Sequence, residues 1–257
     1  MNEPVRFVGA GPGDPELITV KGMRLLEKAD RVVYAGSLVP KTLLSYCAKD
    51  VLAFDSASLT LEQTHGLLRQ GYEAGESVVR LHTGDPGLYG ALHEQMELLD
   101  RDNIPYEVVP GVTAAFASAA AMKKVLTIPE ISQTVILTRL GARTPVPGKE
   151  SLETLASHRA TMLIYLSVQR IEEVVGQLLT HYPADTPVMV AYRVGWPEQK
   201  FLRATLENIA SRVRGEQIGR QAIILVGEVF GGGEGGKRSK LYDESFSHQY
   251  RDGRKNG

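Results

Sequence analysis

Three short glycine-bearing stretches hold the residues whose types and spacing could do chemistry. The first is Gly9-Ala10-Gly11-Pro12-Gly13-Asp14-Pro15, directly after the apolar run Val5–Val8. A glycine-rich turn in that position can cradle a pyrophosphate on backbone amides at a helix N-terminus. Two residues oppose this here. Asp14 stands where a dinucleotide loop needs its third glycine and sets a negative charge where the phosphates would lie; Pro12 removes an amide donor. No Gly-Lys-Ser/Thr follows, so a P-loop is excluded as well. Two readings remain: a loop whose backbone passes close to a neutral or cationic ligand, or a plain tight turn from strand to helix.

The second stretch is Arg80-Leu81-His82-Thr83-Gly84-Asp85-Pro86-Gly87-Leu88-Tyr89-Gly90, at the C-terminal end of another strand-like run. Open α/β sheets bind their ligands at that edge. Asp85 can accept hydrogen bonds from a ligand amine or hydroxyl, or pair with its cation; it can equally cap a following helix. His82 reads as a hydrogen-bonded structural partner rather than a base. The third stretch, Pro110-Gly111-Val112-Thr113-Ala114-Ala115, signals a close backbone approach and little more by itself. There is no HExxH, no GxSxG and no Cys/His cluster at zinc spacing, which argues against a metal site or a hydrolase triad.

The elements that must position these stretches alternate along the chain. Val5–Val8, Arg31–Tyr34, Val51–Phe54, Ser77–His82 and Tyr106–Val109 are predicted strands. Helical patterns lie between several of them, at Glu16–Ala29, Leu61–Ala74 and Leu88–Asp100, with Thr60 and Gln63 placed for a capping box. Such alternation predicts crossover units and a largely parallel sheet. A second set follows: strands Thr134–Thr138, Thr161–Leu166, Val188–Tyr192 and Ala222–Val229, with helices near Ile171–Leu179 and Leu206–Val213; the hinge between the halves is expected near Pro110–Gly111, at the entry to the Ala-rich, close-packing segment Val112–Met122. Gly141–Lys149 and Gly231–Gly236 read as loops. The expected organisation is an N-terminal α/β domain at 1–113, a C-terminal α/β domain at 114–232 and a polar tail at 233–257.

Composition narrows the classes further. The 257 residues are 43% hydrophobic and 23% charged, which excludes whole-chain disorder, collagen-like repeats and a disulfide scaffold. With 29 basic against 30 acidic residues, the net charge of −1 speaks against a general nucleic-acid binder. The single cysteine, Cys47, cannot form an intrachain bridge and suits a reducing cytoplasm. No secretory signal and no membrane-spanning apolar run is visible, so a soluble cytoplasmic protein is expected.

Taken together, the segments VGAGPGDPELIT at 8–19, ADRVVYAGSLV at 29–39, RLHTGDPGLYGA at 80–91, PGVTAAFASAAA at 110–121, PEISQTVILTR at 129–139 and GRQAIILVGEV at 219–229 resemble, in order, the tetrapyrrole (corrin/porphyrin) methyltransferase family. The resemblance spans nearly the whole chain. AGSLV, PEISQTVILTR and KLYDESFSH at 240–248 are similar to the branch that methylates C11 of precorrin-4, or of cobalt-precorrin-4, in cobalamin synthesis. Members acting on uroporphyrinogen carry an Asp shortly after the second-strand Tyr, where this chain has Tyr34-Ala35-Gly36-Ser37.

The resemblance implies two α/β domains with the active-site cleft between them, usually in a homodimer. It implies S-adenosyl-L-methionine as methyl donor and S-adenosyl-L-homocysteine as product. Carried across by motif, the cofactor-binding residues are Pro12, Thr83, Gly84, Asp85, Leu88, Thr113, Ala114, Leu166, Val194 and Ala222. No residue is assigned as catalytic base and no resident metal is expected. The many carboxylates of precorrin-4 call for basic side chains, with Arg139, Arg143, Arg193 and the Lys237–Lys240 group as candidates. The alternatives are a sibling methylating C17 or C20, a nucleotide-dependent oxidoreductase, which Asp14 and Pro15 oppose, or a non-catalytic corrinoid-binding protein.

Overall fold

The computed structural model describes residues 2–141, 144–231 and 244–252. The chain divides into two compact units, Met1–Ser118 with Arg193–Lys200, and Ala119–Tyr192 with Phe201–Gly257. Arg143, the Lys237–Lys240 group and most of the Gly231–Gly236 loop lie outside the described residues.

The first unit is built on a five-stranded sheet of β1 (Val5–Gly9), β2 (Arg31–Tyr34), β3 (Leu52–Asp55), β4 (Val78–His82) and β5 (Tyr106–Val109), in the order β3-β2-β4-β1-β5. Every pairing is parallel, as the alternation of strands and helices predicts. A parallel sheet needs cover on both faces, and the side chains sort accordingly. Val8, Val32, Val79 and Leu81 join Leu26 of helix α1 (Val20–Glu27) and Leu43 on one face. Phe7, Val33 and Val78 meet Leu68 of α2 (Leu61–Glu73) and Leu99 of α3 (Leu92–Arg101) on the other. The chain moves one way along the sheet through β2 and β3 and returns through β4 and β5. Right-handed crossovers then place the connecting segments on opposite faces.

Local signals act where they stand in the sequence. Thr60 and Gln63 form the expected capping box at the start of α2. Two helices begin later than periodicity predicts. A three-residue 3-10 turn, Pro15–Leu17, precedes α1, whose cap is Thr19. Helix α3 starts at Leu92 rather than Leu88, because Tyr89 and Ala91 take positive φ angles of 55° and 47°. Asp85 is therefore not the cap of that helix.

Helix α4 (Ala114–Ala121) follows β5. The second unit holds β6 (Val135–Arg139), β7 (Thr161–Tyr165), β8 (Pro187–Tyr192), β9 (Lys200–Thr205) and β10 (Ala222–Val226), in the order β6-β7-β10-β8-β9. Helices α5 (Leu152–Ala156), α6 (Ile171–Leu178) and α7 (Leu206–Gly215) supply Leu152, Ile171, Val174, Leu178, Leu206 and Ile209 to its core. This sheet is mixed: β6 and β7 are parallel, whereas β10 runs antiparallel to both β7 and β8. The expectation of a largely parallel arrangement holds for the first sheet alone. No helix intervenes between β8 and β9, so that step is not a crossover unit. No helix among the described residues is long and apolar enough to cross a membrane.

Candidate active site

The C-terminal ends of β1, β4 and β5 converge on three glycines whose backbones touch. A Cβ on Gly9 would lie 2.5 Å from Gly111 Cα and 2.8 Å from the Gly84 oxygen; one on Gly111 would lie 2.1 Å from that oxygen. No side chain fits at either position without moving main chain. The two loops are then laced together by Gly84 N–H donating to Gly11 O at 2.7 Å and Gly11 N–H donating to Gly84 O at 3.3 Å. The closeness follows from sheet order, since β1 lies between β4 and β5.

Asp85 extends this lacing. Its Oδ1 accepts from the Gly87 amide at 2.8 Å and its Oδ2 from the Gly111 amide at 2.9 Å. One carboxylate thus shapes its own turn and joins the loop after β4 to the loop after β5. Asp14 caps the short Pro15–Leu17 turn through the Glu16 amide at 2.9 Å. Ala10 N–H donates to His82 O at 2.7 Å. Amides at 10, 11, 84, 87 and 111 therefore all have partners within the protein. A pyrophosphate cradle needs such donors unpaired, so the exclusion of a dinucleotide loop gains a structural basis. What this edge presents is carboxylate, hydroxyl and close-packed backbone, a donor set compatible with a cationic ligand.

Pro12, Thr83, Gly84, Asp85, Leu88, Thr113, Ala114 and Val194 all belong to the first unit. Pro12, Thr113 and Val194 are buried, and Gly84 sits at φ 61°. Val194 reaches this unit through residues 193–200, and brings with it Trp196, which carries no motif signal. The indole Nε1–H donates to the Pro12 carbonyl at 3.1 Å. No sequence cue marks it, since Pro12 lies 184 residues away in the chain.

Behind the same strand ends lies a buried polar group that composition did not reveal. Arg80 Nε–H donates to Gln95 Oε1 at 3.0 Å and Nη1–H to the Ser56 hydroxyl at 2.8 Å. With neutral partners only, burial pulls this guanidinium down to about 10. His82, on the same face of β4, packs edge-on against Phe7 with centroids 5.7 Å apart. Burial first, then the Arg80 charge, push it down to about 3, so its ring is neutral at physiological pH. The ring bonds the Gly90 backbone while its buried Nε2 has no hydrogen-bond partner, so the structural histidine expected is satisfied on one side only.

At the end of β2, where no Asp follows Tyr34, a carboxylate arrives from the neighbouring strand. Asp55 Oδ1 accepts from the Gly36 and Ala57 amides, each at 2.9 Å. Those bonds hold its carboxyl below the usual range. Gly36 is required by this contact, since a Cβ there would lie 2.1 Å from Asp55 Oδ2. Cys47 is half-buried and burial pushes its thiol up, which leaves it a poor nucleophile.

In the second unit, Leu166 follows β7 and Ala222 opens β10. The antiparallel register pairs Ile224 with Ile164 and so sets both residues at one edge of that sheet. Leu166 is a large apolar residue 64% exposed and held at φ 53°, while Ser167 beside it donates to Tyr165 O and accepts from the Leu140 amide. Strain of this kind in an exposed leucine points to a functional constraint. The candidate substrate cations are engaged locally: Arg139 donates to the carbonyls of Leu140, Thr144 and Pro145. Arg193 stacks over Trp196 and pairs with Glu198.

The family model of tetrapyrrole (corrin/porphyrin) methylases matches residues 4–210. The precorrin-4 C(11)-methyltransferase of Pseudomonas aeruginosa is 50% identical over 250 residues, covering 97% of this chain and 99% of the relative. A crystal structure of cobalt precorrin-4 methyltransferase superposes with a TM-score of 0.86 at 44% identity, over 88% of this chain and 95% of that one. The uroporphyrin-III C-methyl transferase of Thermus thermophilus, complexed with S-adenyl homocysteine, gives 0.73 at 30% identity, over 88% and 98%. With a match across most of its length and relatives at this level of identity, the chain belongs to the tetrapyrrole (corrin/porphyrin) methylase family.

Proposed function

We propose that the protein transfers a methyl group from S-adenosyl-L-methionine to C11 of precorrin-4 or cobalt-precorrin-4. The observation that carries the choice of donor is the strand-end edge of the first unit. The amides at 10, 11, 84, 87 and 111 are spent on the protein's own carbonyls and on Asp85, so the glycine turns do not offer them to phosphates, and Asp85 sets a carboxylate there that suits a cationic donor. The ring position rests on the likeness to proteins named for C11 methylation, 50% identical over nearly the full chain.

The donor supplies a sulfonium methyl and departs as a neutral thioether, so no new charge on the leaving group needs stabilising. The protein's work is orientation. A ring carbon must be held about 3–3.5 Å from the methyl and in line with sulfur, a placement worth several kcal/mol through effective molarity. Pro12, Thr83, Gly84, Asp85, Leu88, Thr113, Ala114 and Val194 in the first unit, with Leu166 and Ala222 in the second, would hold the donor. The glycine contacts fix the backbone beneath these side chains, which gives the rigidity that orientation needs.

The protein is proposed to act in the cytoplasm as a homodimer. That state rests on the resemblance to the family. Sedimentation at micromolar concentration tests the dimer.

Incubation with S-adenosyl-L-methionine and either precorrin-4 or its cobalt form, followed by NMR of the product, tests the reaction. A new methyl on C11 is expected. Methylation at C17 or C20 would reassign the protein to a sibling activity, and no saturable binding of S-adenosyl-L-homocysteine would leave a corrinoid-binding role instead.

A further inference from the structure

Trp196 is the chain's one tryptophan, in a turn between β8 and β9 that nothing above assigns to catalysis. This turn is folded onto the loop after β1, residue against residue. Beyond the hydrogen bond to the Pro12 carbonyl, the indole fills the space in front of Gly13. A Cβ there would lie 2.2 Å from Cδ1 and 2.5 Å from Nε1. Gly195, at φ +81°, stands so near Asp14 that a Cβ on it would be 2.6 Å from the Asp14 nitrogen. Three consecutive residues, Pro12 to Asp14, are thus met by the pair Gly195 and Trp196.

The indole is itself braced. The Arg193 guanidinium lies 4.6 Å from the ring centroid and pairs with Glu198 at 3.3 Å. The Trp196 amide donates to Arg193 O at 3.0 Å, and the Gln199 side chain accepts from the Gly195 amide at 3.2 Å. The loop it supports is anchored at Gly11 and by the Asp14 cap, with Pro12 and Gly13 between those anchors. Pro12 has no amide to donate, and the helical turn that follows is only three residues long. A segment that must place a ligand to within a fraction of an ångström needs support from outside itself.

We propose that Trp196 is a positioning residue for methyl transfer: it holds the Pro12–Asp14 backbone in the conformation that receives the methyl donor. The indole and donor occupancy are thereby coupled. This rests on the reading of Pro12 as a donor-binding residue given above.

The experiment combines calorimetric binding of S-adenosyl-L-homocysteine with tryptophan emission from the same full-length protein, which has a single emitter. In the unaltered protein, emission changes with the calorimetric midpoint. Trp196→Phe keeps an aromatic ring and loses the N–H, and weakens binding about three- to tenfold, as loss of one hydrogen bond would. Trp196→Ala weakens it further; where that variant does not fold, the affinity of Trp196→Phe decides. Gly13→Ala collides with the indole and weakens binding in the parent but adds little in the Trp196→Ala background, a coupling that a double-mutant cycle measures.

A merely structural indole would lower the melting temperature of Trp196→Phe while leaving its affinity and the parent's emission unmoved. That result overturns the proposal, as does an equal Gly13→Ala cost in both backgrounds. Donor binding that is intact in every variant sinks the role of Trp196 alone. Absence of calorimetric binding in the unaltered protein sinks the methyl-donor reading together with it.

Discussion

The Asp85 carboxylate reaches across from the loop after β4 to accept the Gly111 amide after β5 at 2.9 Å, while its other oxygen accepts Gly87 at 2.8 Å. Two loops that meet at a proposed donor site are thus held by one anion. Hydrogen bonds to an ionised acceptor are about twice as strong as neutral ones. Asp85→Ala is expected to weaken S-adenosyl-L-homocysteine binding about tenfold or more. Asp85→Asn, which keeps one acceptor oxygen, should fall between. Calorimetric titration of both variants checks the order, and parent-like affinity in Asp85→Ala would remove this residue from the site.

Gly111→Ala tests the backbone contact directly. Its new Cβ would sit 2.1 Å from the Gly84 oxygen, so the loops after β4 and β5 would have to part. Overpacking of this sort costs about 1–3 kcal/mol, which lowers the melting temperature by several degrees in a chain of this size. Gly9→Ala presses on the same atoms. The double variant should therefore lose less than the sum of the singles; strict additivity in thermal melts would contradict a shared contact.

His82 predicts a pH dependence of stability. Its folded value is about 3, below the unfolded value of about 6.5. As pH falls below 6.5 the unfolded chain takes up a proton that the buried ring refuses, so stability falls with pH until about 3. Between pH 7.5 and 5 the loss amounts to about 2 kcal/mol. His82→Leu should flatten that interval in urea unfolding followed at both pH values, and an unchanged slope would place the titration elsewhere.

Leu166 carries a separate expectation. Glycine adopts φ 53° without strain, so Leu166→Gly should leave stability within about 1 kcal/mol of the parent. Removal of a 64% exposed leucine from the proposed donor site should nonetheless weaken S-adenosyl-L-homocysteine binding severalfold. Paired melting and binding measurements separate the two effects; equal affinity would leave the strained leucine without a ligand role.

The sequence carried the first sheet well because its strands are short apolar runs buried on both faces, and β2 and β5 begin and end where periodicity places them. β9 escaped notice because Lys200 and Arg203 break its apolar pattern, as charges do on a strand at the edge of a sheet. The start of α3 moved because Tyr89 and Ala91 adopt left-handed backbone that no helical spacing announces. At the candidate site, the glycines and Asp85 stand in motifs and could be singled out by spacing. Trp196, Asp55 and Gln95 could not. Each acts on a residue far away in the chain, Pro12, Gly36 and Arg80 respectively, and such pairs are visible only once the strands are side by side.

The strand order has a consequence for how the chain comes into being. β1 leaves the ribosome first, yet its two neighbours are β4 and β5, which begin at Val78 and Tyr106. β2 and β3, made next, can pair with each other well before that. The earliest strand of this sheet must therefore wait, without its two sheet neighbours, until some seventy further residues have emerged, and is fully flanked only after about a hundred. Its apolar Val5–Val8 run is the segment most exposed to wrong partners in that interval. Slowed or truncated synthesis between residues 55 and 106 should then be the condition under which this protein aggregates.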